Sequence, residues 1–214
     1  MSVSDMWKAC AVQQALLIIL NLAVISLGRA PWLILGALAL LAGAYFSFRR
    51  GMGFGHEACA LLDSVRSVQA HEGPGRDQLD DKLLRRTWSR DRGLRGVLAS
   101  ALVPYAASCF YMAAAIVPLR RVLVPARVAA LFLAMPFWPL VGYWFESMDQ
   151  MHPAIIAMLM ISPFVLPLCM FAGYMQGPKL WQKSERAMAQ GRRRAKARSR
   201  VGQRRAPKPP KPEI

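Results

Sequence analysis

A chain of 214 residues that is 55% hydrophobic, with a mean hydropathy of +0.25, and that still carries a net charge of +16 does not have the composition of a soluble domain. The two properties coexist when apolar residues are gathered into blocks of about 20, long enough to cross a bilayer, and the charge is confined between and after them. The four scattered cysteines give no disulfide framework, and the three histidines have no paired spacing toward the three or four ligands of a zinc site.

All 28 Lys and Arg and all 12 Asp and Glu fall outside five apolar blocks, at 9–27, 31–48, 97–117, 128–145 and 154–175. In lipid the backbone must satisfy its own hydrogen bonds, so these blocks are predicted helices. The expected fold is all-α, a polytopic integral membrane protein with four or five transmembrane helices, a polar helical hairpin between the second and third, and a basic C-terminal tail. Four regions follow: an N-terminal transmembrane hairpin at 1–48, a polar amphipathic hairpin at 49–96, proline-containing membrane helices at 97–177, and a basic, partly disordered tail at 178–214.

The first block is not a secretory signal, because its apolar run is too long, Pro31 would follow the cleavage point, and a second block begins at once. The two blocks pair through a turn at 28–30, with Trp32 near the interface. Gln13, Gln14 and Asn21 are the polar exceptions, expected either to sit near the interface or to hydrogen-bond a neighbouring helix, with a substrate contact as the lesser alternative.

The polar region opens with Gly51-Met-Gly-Phe-Gly55, whose spacing matches no phosphate-binding loop and reads as a flexible exit from the membrane. Ala58, Leu61, Leu62, Val65 and Val68 then recur at helical spacing on one face. A break at 71–75 precedes a second helix, N-capped near Asp77, with Leu79, Leu83, Leu84 and Trp88 inward and Lys82, Arg86 and Arg90 along another face. These three cations are candidate contacts for anionic lipid or another polyanion. His56, Glu57 and Cys59 lie close together but make neither an HExxH motif nor a set of zinc ligands, so packing is the simpler role.

Prolines distinguish the second half: Pro104 in block three, Pro136 and Pro139 in block four, Pro163 and Pro167 in block five. Each frees a helix carbonyl, and interrupted helices can line a transport path, so Pro136, Pro139, Pro163 and Pro167 are its candidate residues. With no ionisable Asp, Glu, Lys, Arg or His inside the blocks, a proton-coupled relay lacks its usual parts. No nucleophile and base can be paired there either, so neither an enzyme nor a cofactor is expected.

Block four, with Met135-Pro-Phe-Trp-Pro-Leu140 at its centre, decides the topology. If it does not cross, Lys8, the ten cations of the polar loop and the thirteen of the tail share one side, leaving Arg29, Arg120, Arg121 and Arg127 on the other. That satisfies the positive-inside rule better than five crossings do. The tail is expected to be cytoplasmic in either case, in a bacterial plasma membrane. Tyr174 and Trp181 read as an interfacial anchor, Gly177-Pro178 as a helix stop, and residues 179–200 as a basic helix interrupted at Gly191. Within it Arg192, Arg193, Arg194, Lys196, Arg198 and Arg200 are candidate contacts for anionic lipid or RNA.

The expected function is that of a non-catalytic subunit or assembly factor of a membrane complex, its hairpin and tail contacting membrane lipid, a ribosome or a partner protein. A cytoplasmic helical hairpin with a basic tail resembles the layout of ribosome-docking membrane insertases, although the helix order differs and no residue motif is shared. The alternative is a small transporter or channel built on the proline-broken helices.

Overall fold

The computed structural model describes residues 3–71, 87–116, 120–141 and 153–205, all of whose regular structure is helical. The helices are α1 (Val3–Ile25), α2 (Arg29–His71), α3 (Arg90–Ile116), α4 (Arg120–Ala134), α5 (Trp138–Val141) and α6 (Pro153–Arg205), with a 3-10 turn at Met135–Phe137 between α4 and α5. Four of them, α1, α2, α3 and α6, are long and apolar enough to span a membrane. At 1.5 Å per residue, α2 and α6 extend about 65 and 80 Å, roughly twice the hydrocarbon thickness or more.

α1 and α2 form an antiparallel hairpin whose turn needs Gly28, at φ +101°. Gln13 bridges the pair: its Nε2 donates to the Gly43 carbonyl, and its Oε1 accepts from Ser47 Oγ at 2.7 Å. Gln14 reaches the other way, donating to the Leu133 carbonyl of α4. Both amides therefore join helices, as expected of polar residues in apolar segments. Asn21 differs, since its Nδ2 donates to Leu17 O of its own helix at 3.0 Å.

The most extensive interface joins α2 to α6, which run parallel. Along it Leu40 packs with Ile155 and Leu159, Gly51 meets Met170, and Asp63 meets Trp181. α1 and α3 lie against this pair, with Met6, Cys10, Val97 and Met170 in one cluster. Ser89 caps α3, its Oγ accepting from Arg92 N at 3.2 Å.

Block four is a broken helix. α4 descends until Leu133 lies beside Gln14; Pro136 and Pro139 remove amide donors, and the chain turns through three buried residues, Met135, Pro136 and Phe137. Pro139 of α5 then lies against Gly36, which also faces Asn21, at a level nearer the Gly28 turn than Gln14 is. The chain has doubled back toward the end from which α4 came.

Three expectations change here. The glycines at 51–55 are not a flexible exit but lie inside α2, which is continuous through His71. Gly177-Pro178 does not stop α6, and Gly191 does not interrupt it. Thr87–Ser89 are non-helical, so Trp88 is not in a helix and Arg90 is the first residue of α3; the rest of the expected second amphipathic helix, Lys82 and Arg86 included, lies outside the described residues. Trp88 instead stacks on Tyr174, 6.2 Å between rings, while its backbone N donates to Ala58 O at 3.1 Å.

Candidate functional site

Among the described residues, two places combine polar groups with a defined geometry. The first is the α2–α6 crossing and the stalk beyond it. Gly51 and Gly55 on α2 face Gly173 and Gly177 on α6, and each glycine abuts backbone of the other helix: Gly51 the Met170 carbonyl, Gly55 the Tyr174 carbonyl and Gly177, and Gly173 the Phe48 carbonyl. This is a small-xxx-small contact on both partners, whose Cα–H groups point at carbonyl oxygens. It explains how a helix survives Pro178: the proline frees the Tyr174 carbonyl, and the backbone of α2 at Gly55 covers that oxygen.

Past the crossing, α2 and α6 continue together. Trp181 Nε1 donates to the Asp63 carboxylate, the His56 ring meets the Trp181 ring edge to face at 5.1 Å, and His56 Nε2 lies 3.3 Å from Ser184 Oγ. Trp181 is thus a strut between the two helices, and His56 is packed into the same contact. Cys59 is buried in that helix, and Ala58 and Val65 of the expected apolar face are buried with it. Tyr174 OH donates to Ser89 O at 3.3 Å and accepts from Ser89 N at 3.2 Å, fixing the start of α3 to the stalk base.

Of the expected polyanion contacts, Arg90 is exposed at the N-terminus of α3, and Arg192 and Arg193 are exposed on α6. The helix continues through 194–205, but the side chains of Arg194, Lys196, Arg198 and Arg200 lie outside the described residues, as do Lys82 and Arg86 entirely.

The second place is a cavity of about 200 Å³ among α1, α3, α4 and α6. Pro104, Pro163 and Pro167 line it together with Gln14, Ser108 and Ser162. Ser108 Oγ donates to Pro104 O at 3.0 Å and Gln14 to Leu133, so these polar atoms are used in holding helices. Two of the four expected path residues, Pro163 and Pro167, are therefore in one cavity wall, while Pro136 and Pro139 are buried in the doubled-back segment. Among the described residues no Asp, Glu, Lys, Arg or His lines it, and that lining suits a neutral or apolar occupant. Among the described residues no group of three or more His, Cys, Asp and Glu is placed to hold a metal ion.

The glycine crossing was missed because the two halves of the motif lie about 120 residues apart in sequence. The available signal was the repeated spacing, Gly51-xxx-Gly55 and Gly173-xxx-Gly177. Fold and sites together define the class, an all-helical protein with four helices long and apolar enough to span a membrane. No protein-family model, curated protein or solved structure matches the chain.

Proposed function

We propose that the chain is a non-catalytic subunit or assembly factor of a membrane complex, with four crossings, a re-entrant α4–α5 segment and a cytoplasmic stalk that recruits an anionic partner. One observation carries the reading: α2 and α6 run parallel and leave the apolar zone at the same end, locked by the glycine crossing. On this arrangement the polar loop and the basic tail share a side, and the positive-inside rule makes that side cytoplasmic. A locked pair of helices displaying exposed Arg192 and Arg193 is a recruiting device, suited to a ribosome, an acidic partner protein or the anionic lipid surface. The contacts described in the stalk tie α2, α6 and the segment entering α3 to one another, which suits scaffolding.

Reporter fusions at Gly75 and at Ile214 are expected to give the same cytoplasmic signal. A periplasmic signal at Ile214 would overturn the orientation, and opposite signals at the two points would overturn the re-entrant segment. Deletion of residues 191–214 removes ten cations and is expected to abolish salt-sensitive co-sedimentation with ribosomes and with anionic vesicles. Binding unchanged by the deletion would remove the tail from the contact. Stoichiometric partners co-purifying in mild detergent are expected under the subunit reading.

The cavity beside Pro163 and Pro167 favours a second reading, passage of a small neutral solute between α1, α3 and α6. It predicts a lone homo-oligomer stabilised against heat by its solute.

A further inference from the structure

On the opposite side of α1 from that cavity, a groove of about 560 Å³ runs between α1 and α2, and its lining changes character along its length. The greater part is apolar: Val12, Leu16 and Leu20 of α1 and Ala39, Ala42 and Phe46 of α2. Val12, Leu16, Leu20 and Phe46 are each 45% or more exposed, so they form its open walls. Its floor is shallow where the helices touch, since a β-carbon on Gly43 would lie 2.8 Å from Leu17 Cδ1. The uncharged polar group in the lining, Gln13, is already bonded within the protein, its Nε2 to Gly43 O and its Oε1 to Ser47 Oγ, so the floor between the helices is otherwise apolar.

At one end this apolar channel closes on Arg49 and Arg50, both exposed. Arg50 lies with its guanidinium 5.9 Å from the centre of the Phe54 ring. A neighbouring depression, lined by Asp5, Lys8, Arg50 and Glu57 among others, lies farther along in the same direction, so both carboxylates sit beyond the arginines rather than in the groove. From Ala39 to Arg49 the helix rises about 15 Å, half the hydrocarbon thickness and so the depth of one leaflet.

We propose that this groove is a binding site for one anionic glycerophospholipid of the leaflet on the stalk side, its acyl chain lying along the α1–α2 channel and its phosphate paired with Arg49 and Arg50. Charge complementarity selects this occupant. A partner transmembrane helix packed along the channel would have to carry its own carboxylate to the two exposed arginines, whereas a lipid phosphate at the end of an acyl chain accepts hydrogen bonds from both guanidinium groups. The stalk side is also the side richest in Lys and Arg, and anionic lipid is concentrated at the cytoplasmic surface. The site rests on α1 and α2 being embedded in a bilayer and is independent of what the stalk recruits.

The test places a photoreactive group in the groove of the full-length chain, as Phe46→p-benzoylphenylalanine, and reconstitutes it in vesicles of phosphatidylglycerol or of phosphatidylcholine. Mass spectrometry of the irradiated peptide is expected to show a phosphatidylglycerol adduct about tenfold above the phosphatidylcholine adduct. Arg49→Gln with Arg50→Gln should bring the two lipids level, and Ala42→Trp, which fills the channel and keeps both arginines, should remove the adduct with either. Both variants should melt near the parent temperature. Deleting 191–214 should leave the adduct unchanged, which separates this site from the basic tail. Equal adducts with the two lipids, an adduct undiminished by the double substitution, loss of the adduct on tail deletion, or a polypeptide adduct in native membranes would each overturn the proposal.

Discussion

Leucine at Gly51 or at Gly173 is expected to lower the melting temperature in detergent by about 10 °C, corresponding to roughly 4 kcal/mol, the upper range of overpacking effects. The reason lies in what surrounds the two positions. A β-carbon on Gly51 would stand 2.7 Å from the Met170 carbonyl carbon, and one on Gly173 would stand 2.8 Å from that of Phe48 and 2.9 Å from Met52 N. These neighbours are backbone of the opposing helix, so no rotamer change can make room. The helices must separate, and separation uncovers the close Cα–H and carbonyl contacts along the whole crossing. It also uncovers the Tyr174 carbonyl that Pro178 leaves without its helical donor. The control is in the same helix: Gly53 is exposed, and nothing lies within 4 Å of its missing β-carbon. Gly53→Ala should be neutral or stabilise by up to ~1 kcal/mol, since glycine is the poorer helix former. If Gly51→Leu and Gly53→Ala melted alike, the crossing would not hold the stalk together. Gly51→Leu should also loosen the stalk itself, read as a change in fluorescence of Trp181, which is half-buried between α2 and α6 and bonded to Asp63.

This crossing marks the boundary of what the sequence made legible. The apolar blocks, free of every formal charge, specified helices because lipid permits little else, and four of them are long and apolar enough to span. Gln13 and Gln14 were legible as bridges because an amide inside an apolar block must find a partner. Ala58 and Val65 were legible as a buried face from their spacing. Gly51-Met-Gly-Phe-Gly55 and Gly177-Pro178 were misread for one common reason. Local preference says that glycine and proline break helices, and local preference decides only where nothing packs against the chain. Here each pair of glycines supplies the flat surface that lets the other helix approach, so the residues that weaken an isolated helix are the ones that permit its strongest contact. That compensation is non-local and does not register in any window of sequence around either motif. Trp181, read as an interfacial anchor from its place after the last apolar block, also has a partner that no local window registers, Asp63, 118 positions earlier. The cavity lined by Pro104, Pro163 and Pro167 was not legible: proline content pointed to interrupted helices, but α3 and α6 run on through all three prolines, and it is the packing of α3 against α6 that brings them to one cavity.

The doubled-back segment gives the second large effect. Gly36→Leu is expected to dislodge α5 and the 3-10 turn and to convert block four from a seated to an unseated segment, at a cost of about 3 kcal/mol. Any β-carbon at Gly36 meets Pro139 Cγ, lies 3.1 Å from Pro139 Cβ and 3.0 Å from Asn21 Oδ1. A proline ring cannot rotate away, and Asn21 is fully buried with its Nδ2 already committed to Leu17 O. Pro139 must therefore leave. Its departure pulls on the turn whose other end is held by Gln14 at Leu133, among the last carbonyls of α4, where Pro136 has no N–H to offer in the 3-10 turn that follows. Gln14→Leu, which removes that donor alone, should cost less, about 1 kcal/mol for the partly buried carbonyl left unmet. The two substitutions act on opposite ends of one small element, so their effects should combine less than additively: once Pro139 has been expelled, the Gln14 contact has little left to hold. The measurement is labelling of a single cysteine introduced as Phe137→Cys, in a background with the four native cysteines replaced, using a small maleimide in reconstituted vesicles. Phe137 is 4% exposed, so labelling should be slow in the parent and at least about tenfold faster with Gly36→Leu, as expected for local opening of a buried element. Equal rates in the two proteins would mean that Pro139 is not what seats the segment.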